Sequence, residues 1–258
     1  MASGAPPRFF VIDKRRPALH KRARMSPPES QPPATRPLDR IETWIFDLDN
    51  TLYPSSCRLY VEVEERMGRY IMDTLKLDYE GAHALRRRYF QQHGTTLRGL
   101  MNEYAVEPRH FLDYVHAIDL SAVQPAPALG AALDALPGRK LVFTNGTQRH
   151  AERVLDRLGL AAQFGGIHDI VAIDYRPKPD PSGYRQLLQR YGIEPTSAAM
   201  VEDMARNLPP AAALGMTTIW LRGGPHGELE AAHAAHIHHV VDDLLPFLAA
   251  LAPRPQAA

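Results

Sequence analysis

From Ile41 onward, short apolar runs alternate with longer stretches whose apolar residues recur every three or four positions. TWIFD (43–47), KLVFTN (140–145), DIVAID (169–174), AAMVED (198–203), TTIWLR (217–222) and HHVVDD (238–243) are the runs. Each has the length of a strand and lacks in-and-out alternation, which predicts strands buried on both faces. Between them, QRHAERVLDRLGL (148–160), DPSGYRQLLQRYGI (180–193) and ARNLPPAAALGM (205–216) carry helical spacing. Strands alternating with helices predict an α/β fold, a parallel sheet covered by helices on both faces.

Residues 55–125 break this rhythm. They read as helices alone, over CRLYVEVEERMGRYIMDTL, GAHALRRRYFQQHG, TLRGLMNEY and PRHFLDYVHAI. The expected organisation is an α/β core formed by residues 41–54 and 126–258. A helical cap subdomain, residues 55–125, is inserted after the first strand.

Charge changes the picture only at the N-terminus. Residues 1–40 hold nine Lys/Arg against three acids, a surplus of +6, so with +1 overall the remaining chain carries −5. This stretch is rich in Pro and Arg and has no sustained apolar period, which predicts a disordered basic tail. Its KRRPALHKRAR segment has the charge to touch nucleic acid or an acidic surface. A solvated leader is the plainer reading, and no nucleic-acid partner is required. The single cysteine, Cys57, excludes an intramolecular disulfide framework and fits a reducing compartment. No apolar run is long enough to span a membrane, so a cytoplasmic protein is expected.

Several runs end in polar residues of a particular kind. Asp47 and Asp49 close the first, Thr144 and Asn145 the second, and Glu202 and Asp203 the fourth. Lys178 follows the third, in RPKPDP. Ligands of open α/β sheets bind beyond the carboxyl ends of the strands, so these residues should converge on one crevice. Gathered carboxylates repel each other unless a cation offsets them, and hard oxygen ligands suit Mg²⁺. A carboxylate is ionised at neutral pH and can attack phosphorus without a base. Asp49 can pass a proton to the leaving group and later take one from water.

DLDNT (47–51), TN (144–145), the lysine of RPKPDP and VED (201–203) resemble, in order, the four motifs of haloacid dehalogenase-like phosphohydrolases. The resemblance covers about residues 43–245. It implies a Rossmann-like core with a cap, and a Mg²⁺-dependent phosphate monoester hydrolase working through an aspartyl-phosphate. By that resemblance Asp47 is the nucleophile, Asp49 the acid/base, Thr144 the phosphate-binding hydroxyl and Lys178 the charge clamp. Asp47, Asp203 and the Asp49 backbone carbonyl would hold Mg²⁺, with Glu202 assisting. Dehalogenating members do not carry the second aspartate, so Asp49 points to phosphate chemistry.

FDLDNTLYP, GTTLRGLM (94–101), VHAIDLSAVQP (115–125) and LPGRKLVFTNGTQRHAERVLDRLGL (136–160) look like the pyrimidine 5′-nucleotidase branch. That implies nucleoside monophosphates such as UMP and CMP as substrates. A promiscuous phosphatase for sugar phosphates or phosphoglycolate is the alternative, and a catalytically inert interaction protein a further one. The branch commonly has an acidic residue where this chain has Ala117. Thr95, Thr96, Arg98 and His150 are candidate substrate contacts. Asn145 is a candidate for either substrate contact or helix capping, and Asn207 for support of the metal loop. Arg86, Arg87 and Arg88 read as a solvated helix face, since adjacent residues splay about 100° apart. His233, His236, His238 and His239 read as a surface cluster.

Overall fold

The computed structural model describes residues 35–223 and 234–252. Most of the expected basic tail, residues 1–34, and His233 lie outside the described residues. Residues 35–40, which the sequence assigns to the tail, are attached to the core. The Arg36 guanidinium donates to Gly215 O at 2.6 Å, and Leu38 packs on the apolar core.

Six parallel strands form one sheet in the order β3-β2-β1-β4-β5-β6. They are β1 (Thr43–Phe46), β2 (Arg139–Phe143), β3 (Ile167–His168), β4 (Ala198–Glu202), β5 (Thr217–Leu221) and β6 (His239–Val241). The central strands β1 and β4 are buried at every position, as expected for strands covered on both faces. The chain leaves β1 toward β2 and β3, then returns to place β4 on the other side. That reversal makes β1 and β4 the switch point where such sheets open a crevice.

Nine helices accompany the sheet among the described residues: α1 (Leu59–Leu75), α2 (Tyr79–His93), α3 (Thr96–Tyr104), α4 (Pro108–Val115), α5 (Pro127–Ala135), α6 (Gln148–Leu158), α7 (Pro181–Tyr191), α8 (Pro209–Ala213) and α9 (Leu244–Leu251). Helices α1 to α4 follow β1 without an intervening strand and pack on one another. Local chemistry sets their starts. Asp78 accepts from Gly81 N at the head of α2, Thr95 from Arg98 N at α3, and Glu107 from two amides at α4. Helices α2 and α3 meet where Gly99 faces Tyr89, and a Cβ on Gly99 would sit 2.2 Å from Tyr89 Cγ. Gly99→Ala is therefore expected to cost about 1–3 kcal/mol through overpacking, read as a lowered midpoint in urea unfolding.

The structure corrects the third strand. DIVAID is not extended: β3 is only Ile167–His168, and residues 170–175 form turns. The Asp169 carboxylate accepts from Gln148 N and Ala172 N, which curls the chain. Asp174 and Tyr175 take φ of 52° and 55°, and Tyr175 N closes back on Ile170 O. Ile170 and Ile173 are the apolar residues buried, a three-residue spacing that a short apolar run conceals. Helix α5 carries no expectation from sequence.

No described helix is long and apolar enough to cross a membrane. His236, His238 and His239 form no metal cluster among the described residues. His238 Nδ1 accepts from Thr218 N at 3.1 Å, and His239 Nε2 lies 2.8 Å from Arg36 O.

Candidate active site

The carboxyl ends of β1, β2 and β4 place Asp47, Thr144, Asn145, Glu202 and Asp203 at one edge of the sheet. Leu48 is wholly buried, and its carbonyl accepts from Thr51 N and Leu52 N. This turn requires Asn50 at φ 61°, a conformation asparagine tolerates. Asp47 and Asp49 flank the buried leucine and line the same cavity of about 60 Å³.

Lys178 reaches this cavity from the loop before α7. Its Nζ donates to Asp47 Oδ1 at 2.7 Å, Glu202 Oε2 at 2.8 Å and Phe143 O at 2.8 Å. All three ammonium protons are thereby used, and the side chain is 1% exposed. Asn145 fixes the loop: its Oδ1 accepts from Lys178 N at 2.8 Å and its Nδ2 donates to Lys178 O at 3.4 Å. Asn145 therefore clamps the lysine, whereas Thr147 caps α6.

The acids outnumber that cation. Asp47, Glu202 and Asp203 are buried, each with a carboxylate oxygen within 4.8 Å of the others. Burial pushes Asp47 up to about 7; repulsion from Glu202 and Asp49 adds to this, while Lys178 opposes it. Burial, then repulsion from Asp47 and Glu202, carries Asp203 well above the usual carboxylate range. Lys178 is raised despite its burial, because Asp47 and Glu202 hold its proton. Glu202 is already engaged on both oxygens, by Lys178 and by Asn207 Nδ2 at 2.9 Å. A buried cluster of hard oxygen donors with surplus negative charge fits a divalent cation.

Asp49 differs from its neighbours. Tyr53 OH donates to its Oδ1 at 2.6 Å, and His150 Nε2 lies 3.0 Å from the same oxygen. Burial disfavours its ionised form, but His150 and the Tyr53 hydroxyl outweigh burial and keep its pKa below the usual value. The His116 ring stacks on His150 at 4.3 Å between centroids. Burial, then His150, holds His116 down to about 3, so it stays neutral. Sequence reasoning singled out neither Tyr53 nor His116. The signal for Tyr53 was its place four residues after Asp49.

The remaining candidates are distributed unevenly. Thr95 and Thr96 line a second cavity of about 90 Å³, which shares Asp49, Tyr60, Phe90, Asn145 and Met204 with the first. Arg98 faces an outer cleft with Arg176 and Asp180 instead. His150 is 1% exposed and lines neither cavity; it touches Asp49. Thr144 is fully buried and accepts from Gly146 N at 2.9 Å. Asn207 holds Glu202 as described, and Thr51 Oγ1 donates to Asp47 Oδ2 at 3.0 Å. Cys57 is half-buried against the apolar core.

Comparison with known proteins gives the family. The family of haloacid dehalogenase-like hydrolases matches over residues 41–215. A phosphoglycolate phosphatase of Rhodospirillum rubrum is 30% identical over 193 residues, covering 70% of this chain and 79% of that protein. A glyceraldehyde 3-phosphate phosphatase of Pyrococcus furiosus is 24% identical over 239 residues, covering 82% and 93%. Phosphate metabolism protein 8 of Saccharomyces cerevisiae is 27% identical over 68% of this chain, and the match spans 60% of the yeast protein's length. A solved haloacid dehalogenase-like hydrolase from Streptococcus pneumoniae shares the fold, with a TM-score of 0.58 at 17% identity over 82% of this chain and 98% of its own. The chain belongs to the haloacid dehalogenase-like hydrolase family, and it is an enzyme.

Proposed function

We propose that this enzyme hydrolyses small-molecule phosphate monoesters, sugar phosphates foremost, through an aspartyl-phosphate on Asp47. The observation that carries the reading is the Asp47 carboxylate held by Lys178 beside a separately tuned Asp49. A carboxylate oxygen of Asp47 attacks phosphorus, and the ester P–O bond breaks. The leaving alkoxide takes a proton from Asp49, whose proton affinity rises when the phosphate's charge arrives. Asp49 then accepts a proton from water, which attacks phosphorus and breaks the bond to Asp47. Phosphate leaves and the carboxylate is restored. Lys178 offsets the negative charge on nucleophile and phosphate throughout.

Asp47 and Asp203, with Glu202 behind them, would hold Mg²⁺, which when bound supplies charge neutralisation at the phosphoryl oxygens. Removing it with EDTA is expected to abolish phosphate release, and added Mg²⁺ to restore it. Full turnover in chelator would remove the metal from the mechanism.

Relatives named for phosphoglycolate and glyceraldehyde 3-phosphate hydrolysis support a small phosphate ester as substrate. A pyrimidine 5′-nucleotidase is the second reading. It rests on the sequence segments described above and on Tyr60 and Phe90, aromatic rings lining both cavities on which a base can stack. A panel of sugar phosphates, phosphoglycolate, UMP, CMP and AMP, assayed for phosphate release, separates the two. Sugar phosphates turned over with the highest kcat/KM support the first. A strong preference for UMP and CMP transfers the assignment to the second.

A further inference from the structure

We infer that Glu64 and Arg86, in the wall of the second cavity, select a neutral, hydroxyl-bearing leaving group and reject one carrying a carboxylate. The inference rests on the phosphomonoesterase reading and concerns the alcohol side of the ester.

Arg86 belongs to the arginine run that reads as solvated. Arg87 and Arg88 are exposed, but Arg86 turns inward from α2 to meet Glu64 on α1, with Arg86 Nη1 donating to Glu64 Oε1 at 2.5 Å. Their side chains retain 15% and 26% of full exposure, so water screens the pair weakly. Both line the cavity that also holds Asp49. An alkoxide that leaves phosphorus at Asp47 and takes its proton from Asp49 therefore departs toward them.

A structural tie between two helices explains the ion pair but not the rest of the guanidinium. Arg86 Nε is buried and has no hydrogen-bond partner. Buried donors are rarely left so, because an unmade hydrogen bond keeps the full cost of desolvation. That nitrogen is closed off from the cavity, so the partner open to a ligand here is Glu64. A substrate hydroxyl can donate to a Glu64 oxygen. A carboxylate has nothing to donate to Glu64.

Charge points the same way. The Asp and Glu side chains lining this cavity are Asp49 and Glu64, and the Arg side chains are Arg86 and Arg206. Arg206 is committed: it donates to Phe90 O and Gly94 O and lies 3.9 Å over the Phe90 ring. Two negative and two positive groups balance. A carboxylate entering here adds an unpaired charge beside Glu64 and Asp49, and like charges in a weakly screened space are costly.

The test uses matched three-carbon esters. Glycerol 3-phosphate and 3-phosphoglycerate differ by a hydroxymethyl group against a carboxylate. Wild-type enzyme is expected to favour glycerol 3-phosphate by about tenfold or more in kcat/KM. Glu64→Gln, which keeps an acceptor for Arg86, should cut that ratio about tenfold, while Glu62→Gln on the exposed side of α1 leaves it unchanged. A wild-type preference for 3-phosphoglycerate, equal use of the two, or a ratio unmoved in folded Glu64→Gln protein overturns the inference. If Glu64→Gln fails to fold, Arg86→Gln serves: loss of the cation beside Glu64 must raise the preference for glycerol 3-phosphate over 3-phosphoglycerate, and an unchanged or lowered preference overturns it. Calorimetric binding of both esters to the Asp47→Asn protein with Mg²⁺ separates the two levels of argument. Selective binding that Glu64→Gln weakens, without wild-type hydrolysis, upholds the subsite and sinks the phosphomonoesterase reading. Absence of both binding and hydrolysis sinks both.

Discussion

Asp47→Asn is expected to lower phosphate release by about 10⁴-fold or more while the protein stays folded. The amide oxygen is a poor nucleophile, and no neighbour can replace it. Glu202 is held on both oxygens by Lys178 and Asn207, and Asp49 is held by Tyr53 and His150. Stability should not fall in parallel. Asparagine removes one of three crowded acids, the one burial pushes up to about 7, and Lys178 keeps its Glu202 and Phe143 partners. Phosphate release and thermal unfolding measured together check both halves. Near-normal turnover would overturn the nucleophile assignment. Lost turnover accompanied by lost folding would reduce Asp47 to a structural role.

Lys178→Met should behave in the opposite sense, damaging the fold as well as the reaction. It removes the ammonium lodged between Asp47 and Glu202 and leaves buried acids uncompensated. Breaking such a pair costs about 3–5 kcal/mol. The deficit should depend on pH. Without the lysine that opposes their rise, Asp47 and Asp203 hold protons in the folded state at pH values where the unfolded chain has released them. A folded state that binds more protons loses stability as pH rises. The variant should therefore lie closest to wild type near pH 5 and fall away toward pH 8 in urea unfolding. Added Mg²⁺ should recover part of the loss, since a cation that binds only the folded state stabilises it. A pH-independent deficit, or none, would mean that Lys178 does not hold these charges in balance.

Much of the sheet was legible because buried parallel strands leave a plain mark. Runs such as WIF, LVF and AAMV have little choice once both faces are covered. The run of helices over residues 55–125 was equally plain, since Asp78, Thr95 and Pro108 punctuate it. DIVAID misled for the same reason that the others did not. Four apolar residues in a row do not reveal whether they extend or curl. The decision lay with Asp169, whose carboxylate captures the amides of Gln148 and Ala172. One of those partners is 21 residues distant, and no local propensity reports it.

The candidate site divides along the same line. Asp47, Asp49, Lys178, Glu202 and Asp203 could be picked out because carboxylates and a lysine at strand ends are costly residues to gather. Their chemistry was written in residue type, and parallel topology implied a common edge. What surrounds them was not. Arg86 is indistinguishable from Arg87 in sequence, yet one pairs with Glu64 in a cavity and the other meets solvent. His150 reads as a candidate substrate contact, and only the structure sets its ring against Asp49. By itself, then, the sequence determined the strands, the helical insertion and the stock of charged groups, since these follow from local period and residue chemistry. Only the tertiary structure decided which charges neutralise which, what fixes Asp49 and which helix faces close over the site, because those depend on distances between residues remote in the chain and on the water excluded between them.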